Sequence, residues 1–396
     1  MDTGCYALIV GAGITGITIA RELLAKGVDD IIILEKEEHI GCHASGRNSG
    51  VLHAGIYYTP DSLKARLCIE GNRLMKQFCL EKGLVLKQTG KVIVAKTEEE
   101  ISGLEELKKR ADASGASSFI IDEKELREIE PYAITSGKAL FSPETAVIKP
   151  LEILDALAKE IIDSKKVKIL YNTTFIKPLN NHTIRTSKGS IHFKIFINTA
   201  GAYADKIAHT FGLARQYKIL PFKGTYKKLK KTKTFLVRGN IYPVPDLRNP
   251  FLGVHFTRTA EDIVYIGPTA IPTFGRENYS GFSGLDFESL FVLYHNAILL
   301  IIDPVFRYSA IEEIKKYRKK FVFAEAKKLV SMLELNDIED TDKVGIRAQL
   351  VNWQTRRLEM DFVLIRDGNT LHILNAVSPA FTSSMAFAKY ALSQFV

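Results

Sequence analysis

Gly11, Gly13 and Gly16 stand in the order G-x-G-x-x-G, and an acid, Glu35, follows about 20 residues later. This spacing suits a pyrophosphate held at the start of a helix. Gly11 allows a tight turn, Gly13 lets phosphates come up to the backbone, and Gly16 lets the helix pack closely on its strand. The first amides of a helix lack intrahelical partners, and with the helix dipole they attract anionic oxygen. Ile14 and Thr15 at the helix start, and Lys36 beside the acid, are therefore candidate cofactor contacts. Glu35 is placed to accept hydrogen bonds from an adenosine ribose. A second polar group follows in the glycine- and serine-rich stretch 41–53, with His43, Ser45, Arg47, Asn48, Ser49, Gly50, Val51 and His53. Ordinary strand-to-helix loops are short, so a long polar one at the carboxyl end of a sheet is expected to lie against a ligand. Ala200 and Gly201, after an apolar run, offer backbone amides at a third point. These features alone leave NAD and FAD open.

The elements that must position these residues follow from periodicity. Residues 6–10 and 31–34 are short apolar runs, expected as buried parallel strands, and 14–26 has helical spacing between them. Ser62 caps an amphipathic helix that Gly83 ends. Strands are expected at 91–95, 167–171 and 195–198 and a hairpin at 184–193, with helices at 98–113, 122–129, 151–162 and from about 205. Beyond Gln216 aromatic and β-branched residues alternate at 224–229, 235–237, 254–257 and 263–266, the texture of an antiparallel sheet. Helices at 286–302 and 307–335, strands at 344–350, 362–366 and 371–374, and a helix at 383–394 complete the chain. The expected fold is α/β, α+β overall. A discontinuous Rossmann-type dinucleotide domain (1–85, 145–215, 340–396) carries an inserted, mostly antiparallel substrate domain (86–144, 216–339).

The 396 residues are 46% hydrophobic and 25% charged, which excludes disordered and fibrous classes and suits a globular enzyme. A net charge of +9 favours anionic partners without choosing among them. Cys5, Cys42, Cys68 and Cys79 have neither C-x-x-C nor zinc spacing, so reduced thiols in a cytoplasmic protein are expected, with no metal site. Asp2 before the first apolar run argues against a secretory signal. The longest apolar stretch, from Leu290 to Ile302, is interrupted by His295 and Asn296, and a buried helix is expected there. Lysine runs at 223–233 and 315–320 are ordinarily solvated faces; they also suit peripheral docking on the anionic inner face of a membrane. Few aromatics interleave them, so no nucleic-acid partner is expected.

The loop H-A-S-G-R-N-S-G-V-L-H-A-G-I-Y-Y-T-P-D-S-L-K-A-R-L-C (43–68) resembles the flavin-contacting segment of the L-2-hydroxyglutarate dehydrogenase/oxidase family. These are FAD enzymes of the D-amino-acid-oxidase-like superfamily. Further matching stretches run in order along the chain: G-K-V-I-V-A (90–95), P-F-K-G-T-Y (221–226), I-Y-P-V-P-D (241–246), P-F-L-G-V-H-F-T-R (250–258), Gly267-Pro268, G-I-R-A-Q (345–349) and N-A-V-S-P-A-F-T-S-S (375–384). Val377 replaces a proline usual in the family, Arg47 an often-seen histidine and Phe381 a small residue, and 276–335 matches poorly. The resemblance implies FAD and a dicarboxylic 2-hydroxy acid, oxidised to the 2-oxo acid by hydride transfer to flavin N5, with oxygen or a quinone as final acceptor. Related FAD-dependent amino-acid or amine oxidases and glycerol-3-phosphate dehydrogenase remain alternatives, and more distantly a flavin-containing RNA-modifying protein.

That chemistry needs a base for the hydroxyl proton, and imidazole titrates near neutral pH. His53, in the loop implied to lie against the flavin, is the first candidate; hydrogen bonding without proton transfer is its other reading. His255 is the second, as base or as orienter of substrate, whereas His372 suggests a structural role. Two carboxylates call for bidentate cations, and Arg258 and Arg347 lie in matching stretches. Lys64, Lys223, Tyr57, Tyr58 and Tyr226 are weaker candidates for substrate. Arg347, Pro379, Thr382, Ser383 and Ser384 are candidates for the flavin, the two serines as donors or as simple helix caps. His43 is expected as a polar liner, or as a covalent link to the flavin methyl as in some relatives.

Overall fold

The computed structural model describes residues 3–245, 253–281, 283–284, 287–302 and 304–395. Asp2 and Asp286, and positions 246 and 250–252 of two recognisable stretches, lie outside them. The strand Thr3–Val10 is the centre of the first sheet. It pairs in parallel with Ile31–Leu34 on one side and with Gly189–Asn198 on the other, in register from Thr3 opposite Ile191 to Val10 opposite Asn198. Val167–Leu170 extends the sheet beyond Ile31–Leu34, and Thr370–Ile373 pairs with the carboxyl half of Gly189–Asn198. Ile31–Leu34 is buried throughout because both faces of a parallel sheet are covered. Helices Ile14–Ala25, Leu63–Glu81, Pro150–Asp163 and Ala380–Ser393 build one core on and beside it. Phe175, Phe193, Phe196 and Phe211 fill the other.

The second sheet is antiparallel except where Asn240–Pro243 runs parallel to Lys91–Val94. Its spine is the pairing of Tyr217–Leu229 with Ile338–Asn352, from Tyr217 opposite Asn352 to Leu229 opposite Ile338. The latter strand thus belongs with the second sheet, although its residues beyond 340 were expected in the dinucleotide part. Its alternation does not reveal which sheet it joins. A small three-stranded sheet (Val51–Leu52, Leu86–Lys87, Ala146–Ile148) lies between the two in sequence and structure.

Three expectations change. Residues 235–237, read as a strand, fall mainly in the 3-10 helix Lys231–Leu236. The long helix expected over 307–335 is two, Pro304–Lys315 and Lys319–Lys327, because the chain leaves helical geometry at Arg318 (φ −80°, ψ 118°). Glu288–Ile302 is helical but not buried: Leu290, Phe291, Leu293, Tyr294 and Ile301 face outward. Apolar content gave the helix; only packing could say what covers it.

Leu63–Glu81 crosses the terminal helix at Gly71, where a Cβ would stand 2.3 Å from the Thr382 carbonyl oxygen. Gly71→Ala is therefore expected to push Ala380–Ser393 aside and cost ~1–3 kcal/mol, read by urea denaturation. An unchanged midpoint would show that the two helices have slack at this crossing.

Candidate active site

The strand Thr3–Val10 turns into its helix through Gly11, at φ +104°. A Cβ on Gly11 would lie 2.6 Å from the Thr199 carbonyl oxygen, and one on Gly16 only 2.0 Å from the Gly11 carbonyl oxygen. The turn, the helix and the Gly189–Asn198 strand therefore meet backbone to backbone. Thr199 seals the joint, its hydroxyl donating to the carbonyls of Val10 and Gly11 at 2.9 and 3.0 Å. Gly13 faces Ser45, whose Oγ takes the Ile14 amide at 3.0 Å and so caps the helix from another loop. Glu35 accepts from the amides of Ala12 and Glu37, each at 3.0 Å, which fixes its carboxylate at the turn. Each carboxylate oxygen keeps acceptor capacity for a ribose hydroxyl.

From this turn a cavity of about 850 Å³ runs to the second sheet. Gly11, Gly13, Ile14, Thr15, Glu35, Lys36, His43, Ser45, Arg47, Asn48, Ser49, Val51, Ala200 and Gly201 line its first part. His53, Tyr226, His255, Arg347, Pro379 and Thr382 line the remainder. Gly16 and Gly50 are not on the wall; they act through the backbone, Gly16 at the joint and Gly50 where a Cβ would meet the Ile148 carbonyl oxygen at 2.6 Å. The cradle that a Cβ would fill, the fixed carboxylate and the cavity's volume and length fit a dinucleotide.

At the far end stand two histidines. The His53 amide donates to the Thr382 hydroxyl at 3.2 Å, and its carbonyl accepts from Asn72 at 3.0 Å, so its backbone is pinned from two helices. Its Nδ1 is buried with no hydrogen-bond partner among the described residues. Burial, and then the neighbouring cations Lys91, His255 and Arg347, hold His53 well below the usual imidazole range. His255 Nδ1 lies 2.7 Å from the Gly253 carbonyl, so that nitrogen donates and Nε2 keeps its lone pair. Its ring stacks on Tyr242 with centroids 4.0 Å apart, and burial pulls its pKa down to about 3. Both imidazoles are thus neutral at pH 7, the form that accepts a proton. Arg347 is half-buried on the strand Ile338–Asn352; loss of solvent around it draws its pKa down and the Tyr226 and Tyr58 hydroxyls oppose this.

Other sequence candidates are placed elsewhere. Arg258 points away from the cavity, to Asp262 at 3.0 Å and to the carbonyls of Thr234 and Val237. Lys223 donates to Asn278 at 2.8 Å, off the lining. Lys64 is buried with its pKa down to about 8, and its amide is held by Asp361. Tyr57 and Tyr58 sit behind the wall; the Tyr57 hydroxyl is buried without a partner among the described residues. Ser383 and Ser384 lie a turn inside a helix that begins at Ala380, so they do not cap it, and their hydroxyls are buried off the lining. His372 is buried against Phe196 and Phe211, a packing role. His43 has both ring nitrogens engaged, Nδ1 with the Tyr279 hydroxyl at 2.8 Å and Nε2 with Glu37 at 2.8 Å. It lies beside Lys36 at the Glu35 end, a position that suits a polar liner and not a bond to a ring methyl.

Two groups escaped the sequence reading. Arg276, Glu277 and Tyr279, after the strand Ile271–Pro272 of the second sheet, reach back onto the first part of the cavity. Arg276 makes a buried pair with Asp205 at 2.6 Å, Glu277 meets Lys36 at 2.6 Å, and Arg47 lies 4.3 Å over the Tyr279 ring. They lie in the stretch that departs from the family pattern. The other is Lys91, fully buried with no hydrogen-bond partner among the described residues for its Nζ. That Nζ sits 4.5 Å over Tyr242 and 4.9 Å over Tyr57, on a ring that carries His255 on its own surface. Burial brings its pKa down to about 7. A lysine inside the apolar run K-V-I-V was the available signal.

The profile of the family described as FAD dependent oxidoreductase (DAO) matches residues 7–394. The mitochondrial L-2-hydroxyglutarate dehydrogenase of Caenorhabditis elegans is 37% identical over 98% of this chain and 92% of its own. The L-2-hydroxyglutarate dehydrogenase of Escherichia coli (strain K12) is 34% identical over 98% of this chain and 92% of its own. Among solved structures, the FAD-bound L-alpha-glycerophosphate oxidase of Mycoplasma pneumoniae superposes with a TM-score of 0.79 at 22% identity, covering 99% of this chain and 94% of that one, a likeness of fold.

Lys91 is protonated only below about pH 7, and an anion in the cavity favours its charged form. Lys91→Met is expected to raise stability by ~1–3 kcal/mol, since an unsatisfied buried amine is removed. It should also raise KM for an anionic substrate below pH 7 and abolish the rise of KM between pH 6 and 8. An unchanged KM profile would reduce Lys91 to packing.

Proposed function

Because the chain belongs to the L-2-hydroxyglutarate dehydrogenase family of FAD-dependent (DAO) oxidoreductases, we propose that it oxidises L-2-hydroxyglutarate to 2-oxoglutarate. The carrying observation is the far end of the cavity, where a half-buried guanidinium, Arg347, and two neutral imidazoles, His53 and His255, line the same wall. FAD, when bound, supplies the hydride acceptor. The chain's residues supply binding, orientation and the proton path. Gly11, Gly13 and the helix start carry the pyrophosphate, and Glu35 the ribose. Arg347 pairs with a substrate carboxylate; a half-buried arginine in a poorly solvated wall holds an anion more strongly than a fully solvated one does.

His53 takes the hydroxyl proton, and His255, its tautomer set by the Gly253 carbonyl, orients the alcohol from the opposite sheet. The dianion raises the low pKa of both imidazoles, because each protonated form then gains a counter-charge. Tyr226 shapes the pocket beside Arg347. Oxygen or a membrane quinone takes up the electrons, and the four free cysteines support work in a reducing compartment, the cytoplasm.

The experiment is anaerobic mixing of the yellow protein with each enantiomer of 2-hydroxyglutarate, with glycine, proline and glycerol 3-phosphate as controls. The flavin band should bleach with the L-acid alone, and oxygen or a quinone analogue then restores it. Bleaching by an amine or by glycerol 3-phosphate instead would replace the substrate and leave the cofactor. His53→Asn is expected to lower the bleaching rate by ~10²–10⁴-fold with the flavin retained. In the wild type, depression of the His53 pKa keeps its base form populated below pH 6.5, so kcat/KM should hold level through pH 6.5 and fall only further into acid. A fall centred at 6.5 or above would assign the base to another group.

A further inference from the structure

Glu288–Ile302 and Pro304–Lys315 form a bent pair, 115° between their axes, packed by Leu299, Phe306 and Ala310 against Leu220, Phe222 and Val351 of the second sheet. The first helix is inside out for a protein surrounded by water. Its buried positions are Ser289, Val292, Asn296 and Leu299, and the Asn296 carbonyl oxygen has no hydrogen-bond partner among the described residues. Its outer positions are Leu290, Phe291, Leu293, Tyr294 and Ile301, and just before it Phe287 is 92% exposed. The second helix adds Tyr308, Ile311 and Ile314, and Tyr317 follows. A contiguous apolar surface of this extent marks an interaction site.

Charge selects the occupant. Among the described residues here the acids turn inward or are paired: Glu288 with Arg276, Glu313 with Lys316, Glu312 with Lys315. Arg318 and Lys320 are exposed directly beyond the apolar face, with Lys319 between them. The outer surface is thus apolar with a cationic rim, the complement of anionic lipid. The first helix has 15 residues, about 22 Å of helix against a hydrocarbon core of about 30 Å, and no single helix is long and apolar enough to cross a membrane. A flat docking in the boundary layer matches that length, with Tyr294, Tyr308 and Tyr317 suited to the headgroup level.

We propose that this helix pair is a lipid-docking surface: Phe287, Leu290, Phe291 and Ile311 enter the acyl boundary of an anionic bilayer while Arg318, Lys319 and Lys320 meet its phosphates. The surface lies in the stretch 276–335, where the sequence matches the family's recognisable stretches poorly. It also stands close to the chemistry. Phe306 on its inner side meets Phe222 edge-on at 6.1 Å, and Phe222 lines the cavity. An electron acceptor dissolved in the bilayer would thus approach within one helix diameter, ~10 Å, of the cavity wall.

The test is flotation of the flavin-loaded full chain with vesicles of phosphatidylcholine alone or of equal parts phosphatidylcholine and phosphatidylglycerol. The protein should rise with the anionic vesicles at low salt and stay behind with the neutral ones. Phe291→Ser/Tyr308→Ser should lose flotation while flavin absorbance and dye-linked activity are kept. Lys319→Gln and Lys320→Gln should each weaken binding roughly fivefold. Phe287→Trp gives a second readout in the otherwise native chain: its emission should shift to the blue on adding anionic vesicles. No flotation and no shift at low salt would overturn the proposal. So would a concentration-dependent dimer that the Phe291/Tyr308 changes disperse, since a second copy would then be the occupant.

Discussion

The contact on which the structure depends is a backbone crossing with no side chain in it. Gly16 lies over the Gly11 carbonyl so closely that a methyl group would stand 2.0 Å from that oxygen, and Thr199 ties the same carbonyl to the neighbouring strand. Strand, turn and helix are thereby locked at one distance. Glu35 and Ser45 then fasten the two adjoining loops to this joint through single hydrogen bonds to the Ala12 and Ile14 amides. A side chain at Gly16 would move the helix start and with it every group that refers to it. The close approach is also what exposes backbone amides to an anion, so folding and cofactor binding share one geometric requirement.

The opposite end of the cavity obeys a different constraint, the cost of charge in a poorly solvated place. His53, His255, Lys91 and Arg347 lie close enough together that each of the others disfavours a proton on His53. Alone, such a group of basic side chains destabilises the fold. It is made tolerable by keeping the imidazoles neutral, by lowering the basicity of the amine, and by the faces of Tyr57 and Tyr242, which accept a nearby cation. The cluster is therefore poised toward anions: in the proposed reaction a dicarboxylate relieves the repulsion and returns basicity to the imidazoles, so that recognition and proton transfer would draw on the same electrostatics.

The two ends are joined by the long pairing of Tyr217–Leu229 with Ile338–Asn352. This pairing carries Tyr226 and Arg347 to the cavity and, on the same face beyond Phe222, seats the exposed helix pair. The glycine turn is built from residues close in sequence, whereas the far wall takes His53 from the loop after Val51–Leu52, His255 from just ahead of the strand Phe256–Arg258 and Arg347 from the strand Ile338–Asn352. No local rule aligns these; only the closing of the second sheet does.

That difference separates what the sequence determined from what it could not. The glycine turn, the loop at 41–53 that lines the cavity, the strands around them and the antiparallel texture of the second sheet were legible because each rests on short-range periodicity, turn chemistry or glycine spacing, which act within a few residues. The side-chain destinations of Arg258 and Lys223 were not, because a basic residue in a matching stretch goes wherever its nearest polar partner stands, and Asp262 and Asn278 are partners only in three dimensions. The Ser383 hydroxyl is instead buried a turn inside its helix, off the cavity. Lys91 was hidden within a strand, and the 288–315 helices announced their apolar content but not that it faces outward. Periodicity states which residues share a face; the tertiary structure alone decides what that face meets, because burial is a property of the whole packed chain and not of any one segment.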